Sequence, residues 1–149
     1  FELQALTAKS SSNFPRRVSV GMDLARLNML LAVIENSLKI NLFYDDVYLN
    51  IIGDIKPIGR GTDLPAILAI YSAKKGVEIS KNIFIIGEVS LTGEIRFVSK
   101  IENLIREARR FGFKKIIIPE KNFRKLSVKL KEGIIPASNI IDAIKKALS

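Results

Sequence analysis

The chain has 149 residues, 48% of them hydrophobic and 26% charged. That is enough for one domain with a real core, and it excludes a disordered chain. Cysteine and histidine are both absent, which excludes disulfide scaffolds, zinc fingers, cysteine nucleophiles and histidine-based triads. Lys and Arg number 24 against 15 Asp and Glu, a net charge of +9, which fits either a polyanion partner or dispersed surface charge.

"FELQAL" (1–6) reads as a strand from its first residue, so we expect a domain cut from a longer protein. "SSSNFPRR" (10–17) is turn-rich, and "RVSVG" (17–21) is a short strand. A helix is expected from Asp23 to about Lys39, capped by Asp23, with Leu24, Leu27, Leu31, Ile34 and Leu38 at helical spacing. "VYLNIIG" (47–53) has the composition of a strand.

"GRGTDLPAILAIYSAKKG" (59–76) is a glycine-flanked loop running into a helix over 63–74. Thr62 or Asp63 can cap it, Pro65 suits its first turn, and Lys74, Lys75 and Gly76 suit its end. Its apolar residues surround most of the circumference, which predicts burial. The loop is not a phosphate-binding P-loop: no lysine stands at the helix start, and Asp63 there would repel phosphate.

"IFIIGEVSLTGEIRFV" (83–98) reads as two strands turning at Thr92-Gly93. A helix follows from Ser99, as cap, to Phe111, with Ile101, Leu104, Ile105 and Ala108 on one face. "KKIIIP" (114–119) is a buried strand with Lys114 and Lys115 at the surface, and "GIIPAS" (133–138) is a last extended piece. Ser138 is expected to cap a closing helix whose Ile140, Ile141, Ile144 and Leu148 point inward. Strands alternating with helices imply a layered α/β or α+β domain with no internal repeat.

Without cysteine or histidine, hydrolytic chemistry would need Ser or Thr with Lys, or carboxylates. Ser72 lies within the apolar helix, Ser90 in the hairpin and Ser99 at a helix start, and none follows Gly61. Ser99 and Lys100 are sequence neighbours whose side chains diverge on a helix.

The segment "IGEVSLTGEIRFVSKIENLIREARRFGFKKIIIPEKN" (86–122) resembles the proteolytic domain of the Lon protease family. There a Thr-Gly-Glu hairpin, a helix and a hydrophobic strand ending in Ile-Pro-x-x-Asn follow in this order. The whole chain more specifically resembles the C-terminal Lon-like domain of the bacterial RadA/Sms family, through "FELQAL", "NFPRRVSVGMDLARLNMLLAV", "DVYLNIIG", "DLPAILAI" and "IGEVSLTGEIR". The resemblance implies a Lon-protease-like fold of small mixed sheets packed against helices. Active Lon proteases carry their serine at the start of the helix equivalent to 63–74, where this chain has Gly61 or one of its neighbours Arg60 to Asp63, none of them a serine, with Thr62 the one hydroxyl. The family's catalytic lysine falls on Glu102, and Lys100 two positions earlier is poorly placed to replace it. The expectation is a protease-shaped domain with no catalytic residues, no cofactor and no metal.

The resemblance also implies a hexameric ring in DNA recombination and repair, built on an upstream ATPase with ATP and Mg, preceded by a zinc segment, that drives branch migration. The implied partners are single-stranded or branched DNA, other copies of the chain and a recombinase. The implied setting is cytoplasmic, with no membrane. Candidate cations for DNA or a neighbouring subunit are Arg16, Arg17 and Arg26, followed by Lys56, Arg60 and Lys100. Arg106, Arg109 and Arg110 alternate with Glu102 and Glu107 and fit a charge-balanced helix surface. Few aromatics interleave with the basic residues, so DNA contact would run through phosphates and ignore sequence. Two alternatives stay open: a Lon-like peptidase with a displaced Thr62–Lys100 pair, and a plain oligomerisation module.

Overall fold

The computed structural model describes residues 1–53 and 59–148. Lys56, a candidate cation, lies outside the described residues. Among the described residues, two small sheets, a hairpin and five α-helices form a mixed α/β layering.

The first sheet has β1 (Glu2–Lys9), β3 (Asp45–Ile52) and β2 (Arg17–Val20) in the order β1-β3-β2. β1 runs antiparallel to β3, from Glu2 opposite Ile52 to Lys9 opposite Asp45, and β2 runs parallel to β3. Between β2 and β3 the chain forms α1 (Leu24–Leu38), as a parallel connection requires. Val47, Leu49 and Ile51 point into the core, whereas Leu6, Val18, Val20 and Ile52 lie on the open face of the sheet.

α2 (Asp63–Lys75) carries almost no polar stripe, and Leu64, Ala66, Ile67, Leu68 and Ile70 are all buried. Around it gathers the larger core, filled from α1, the first sheet and α5 (Ile140–Leu148).

The second sheet, β4 (Ile83–Ile85), β7 (Lys115–Pro119) and β8 (Ile134–Ala137), is parallel throughout. Its central strand explains the unbroken apolar run at 116–118: Ile117 faces the larger core, while Ile116 and Ile118 face a second one. That second core is covered by Ile101, Leu104, Ile105 and Ala108 of α3 (Ile101–Arg110). A short helix, α4 (Glu120–Lys125), follows β7, and there Asn122 is buried with its amide clamped on Val98, accepting from the N–H and donating to the C=O at 2.9 Å each. This use accounts for the asparagine of the Ile-Pro-x-x-Asn pattern.

Several local expectations are corrected. Residues 83–98 hold three strands, because β4 leaves for the second sheet before β5 (Glu88–Val89) and β6 (Ile95–Arg96) make the hairpin. The break falls at Gly87, where a Cβ would stand 3.0 Å from Ile95 and 3.2 Å from Leu64. Asp23 precedes α1 without a side-chain cap bond, and Leu24 is exposed. Thr62 likewise stands at the α2 N-cap with no side-chain cap bond. Lys100, not Ser99, precedes α3, in a left-handed conformation at φ 55°. Asn139, not Ser138, caps α5 by accepting from the Asp142 amide at 2.8 Å. Ala143 and Ala147 take the inward places expected of Ile141 and Leu148, which are exposed.

Gly76 and Gly133 both have positive φ, but only Gly133 is crowded: a Cβ there would fall 2.1 Å from the Lys114 carbonyl oxygen. Gly76→Ala is expected to cost about 1–2 kcal/mol for the left-handed backbone alone, and Gly133→Ala clearly more. Urea denaturation of the two variants checks that order.

Candidate functional site

The loop entering α2 is tied down from both sides. The Gly87 amide donates to the Gly61 carbonyl at 2.9 Å, and the Leu64 amide donates to the Gly87 carbonyl at 3.0 Å. Asp63, the first residue of α2, is 1% exposed, yet its carboxylate does not cap its own helix. It accepts from Arg26 Nε at 3.0 Å, from Arg26 Nη2 through its other oxygen, and from the Val89 amide at 3.1 Å. Arg26 Nη2 also donates to the Val89 carbonyl at 2.9 Å.

One forked ion pair therefore joins α1, α2 and β5 under the surface. The hydrogen bond to Asp63 holds the Arg26 guanidinium above its usual pKa against the opposing effect of burial, aided by the Asp63 and Glu88 charges. Arg26 is thus bound within the chain, with its side chain 12% exposed.

Above this pair opens a shallow cleft of about 390 Å³, lined among others by Arg26, Arg60, Arg96, Glu88, Ser90 and Thr92. The guanidinium groups of Arg60 and Arg96 make no hydrogen bond or ion pair with any described residue. The Ser90 and Thr92 hydroxyls share a hydrogen bond of 2.9 Å, and Ser90 Oγ also accepts from the Glu94 amide. Arg96 was not among the sequence candidates. Its signal was the hairpin alternation, which puts it directly opposite Glu88.

Arg17 and Arg16 differ despite adjacency. The Arg17 guanidinium donates to the Asp45 and Leu42 carbonyls, bracing the start of β3, whereas the Arg16 side chain is exposed. The Arg16 amide donates to Asp46 at 2.7 Å, which holds that carboxyl below its usual 3.8. Arg109 donates to the Leu130 and Glu132 carbonyls, while Arg110 pairs with Glu107 as an ordinary helix surface would.

A family model described as subunit ChlI of Mg-chelatase matches residues 30–122, more than half of the chain. The chain belongs to the ChlI family. Within that likeness it is similar to DNA repair proteins RadA: 35% identical over 147 residues to that of Halalkalibacterium halodurans, covering 99% of this chain and 32% of the relative. To the RadA of Chlamydia pneumoniae it is 38% identical over 149 residues (99% and 33%), and to that of Aquifex aeolicus 38% over 146 residues (97% and 32%). The chain spans about a third of the length of these relatives. The resemblance to the RadA Lon-like domain, and the Lon-like fold it implies, therefore stand.

In this ChlI-family fold Gly61 is buried and Thr62 half-buried, both in the loop that leads into the larger core. Lys100 is exposed and Glu102 half-buried at the start of α3, over the second core. No hydrogen bond links Thr62 to Lys100, so the structure does not bring this pair together as an activated nucleophile.

Removing one member of a buried pair strands the other charge. Asp63→Ala is expected to cost about 3–5 kcal/mol, and the double variant Arg26→Met with Asp63→Leu to regain most of it; chemical denaturation of all three decides. For Asp46 the folded pKa is depressed, so the Arg16 contact is complete above the unfolded value and fades as pH falls through the folded one. The Arg16 amide proton should accordingly titrate below pH 3.8 by NMR.

Proposed function

We propose that this chain is a non-catalytic Lon-like domain of a RadA-type DNA repair protein, which scaffolds a hexameric ring and holds DNA through phosphate contacts. The observation that carries this reading is the buried Arg26–Asp63 pair. It occupies the helix start to which the Lon resemblance assigns the nucleophile. A serine protease of this type needs a hydroxyl beside a desolvated amine; here Thr62 is half-buried and Lys100 is exposed to water.

DNA binding draws support from the RadA names of the relatives and from the net charge of +9. Among the proposed cations Arg16 and Arg60 are exposed, Lys100 is exposed in a left-handed turn, and Arg17 and Arg26 serve the frame. The longer parent would supply the ATPase, with ATP and Mg, and a zinc segment. It would use them for branch migration in recombination beside a recombinase, in the cytoplasm. No helix among the described residues is long and apolar enough to cross a membrane.

Self-association has its own observation. Leu6, Val18, Val20 and Ile52 leave an apolar strip on the open face of the first sheet, a surface of the kind subunits cover. The oligomerisation module is therefore the second reading.

Arg16→Ala should reduce the log–log salt slope of DNA binding by about 0.7–0.9 and leave the melting temperature unchanged. Arg17→Ala should instead lower stability by about 1–3 kcal/mol through unpaired carbonyls. Fluorescence anisotropy across a salt series, with light scattering for ring size, reads the first. Casein turnover abolished by Thr62→Ala would overturn the non-catalytic reading.

A further inference from the structure

We infer that the groove between Phe1, Phe84, Phe111 and Phe113 is a docking site for a protein partner, which inserts an arginine carried on an extended, apolar segment. The inference takes from the proposed function only that Phe1 lies within a longer chain, where its nitrogen is an uncharged amide.

The cavity holds about 420 Å³, and Leu104 and Ala108 of α3 also line it. The Phe84 ring meets Phe1 at 5.4 Å and Phe113 at 5.5 Å between centroids, inclined by 61° and 56°. Phe111 is 72% exposed at the mouth of the same cavity. Glu2 and Glu107 are the only charged groups among the described residues that line it. Arg110 takes one oxygen of Glu107 at 3.2 Å; no described residue takes the other or pairs with Glu2. In a chain of net charge +9, a cavity walled by phenyl rings and carboxylates repels a polyanion and attracts a cation.

Elsewhere the chain covers phenyl rings with its own cations. Lys125 lies 5.4 Å from the Phe97 ring centre, and Lys131 lies 4.6 Å from that of Phe123. No lysine or arginine among the described residues stands over the four rings of the groove. Arginine suits them better than lysine, because a planar guanidinium stacks on a ring while its fork meets a carboxylate.

A second cavity of about 570 Å³ shares Phe1, Phe84 and Phe113 and continues the groove between Leu3, Leu68 and Ile83. β1 pairs with β3 alone and β4 with β7 alone, so each sheet ends in an unpaired strand edge, and residues of both strands line the groove. An extended segment can pair its backbone with such an edge while its alternate side chains enter the groove. That geometry calls for apolar residues two positions to either side of the arginine.

The probe is the acetylated peptide amide Leu-Ser-Arg-Ser-Leu, titrated calorimetrically into the full-length protein, with glutamine in place of arginine as the neutral control. The arginine peptide should bind about tenfold more tightly than the control. Glu2→Gln with Glu107→Gln, and separately Phe111→Leu, should each weaken the arginine peptide several-fold and leave the control unchanged. None of these three residues is buried, so the melting temperature should stay constant.

Equal affinity for the two peptides, or an arginine preference that survives both variants, would overturn the site. Equally strong competition by tetramethylammonium would replace the protein partner with a free organic cation, and competition by oligothymidine would move the peptide to a DNA surface; either overturns the inference. Binding to the 149-residue chain but not to the full-length protein would mean that the parent's own chain fills the groove, and would overturn it too. A full-length protein that binds no DNA yet keeps the arginine preference would overturn the proposed function and leave this site standing.

Discussion

The forked pair between Arg26 and Asp63 is the constraint on which the arrangement around α2 depends. A carboxylate that is 1% exposed is tolerable only if its oxygens are filled. Here two guanidinium contacts and the Val89 amide fill them. Because the three partners come from α1, α2 and the hairpin, satisfying one charge fixes the mutual placement of three elements. The glycine contacts at Gly61 and Gly87 then bring the backbones as close as the pair demands.

The same pair separates two kinds of basic residue. Arg26 and Arg17 are consumed inside the chain, on Asp63 and on the carbonyls before β3. Arg16, Arg60 and Arg96 keep their guanidinium groups outward. The surplus positive charge of the chain is therefore not spread evenly in its chemistry: part of it is structural, and part of it faces outward. A floor held by an ion pair can carry a binding surface, whereas a protease needs there a hydroxyl and an amine in contact. This contrast is the physical basis of reading the domain as a holder of DNA.

Much of the fold was legible because the apolar pattern is strong where burial is two-sided. The run at 116–118 and the all-round apolar α2 each announce burial that the two cores then provide. The errors came where the pattern was ambiguous. In α5 four isoleucines and leucines offered a stripe, but the helix turned its small alanines inward because α1 and α2 approach closely there. At 83–98 the sequence is continuously apolar to Ile86, so the jump of β4 to another sheet left no mark except Gly87. The site was less legible than the fold. Asp63 looked like a helix cap, and nothing local showed that its partner lay 37 positions earlier. Arg96 became visible only once β5 and β6 were in register.

The central claim is that the α2 start is a closed, structural junction, and native-state hydrogen exchange at the Val89 amide tests it most directly. That amide donates to the buried Asp63 carboxylate, so the account predicts exchange only through global unfolding, with a matching free energy. Exchange of Val89 by local opening, at the rate of the exposed turn at Thr92, would contradict it.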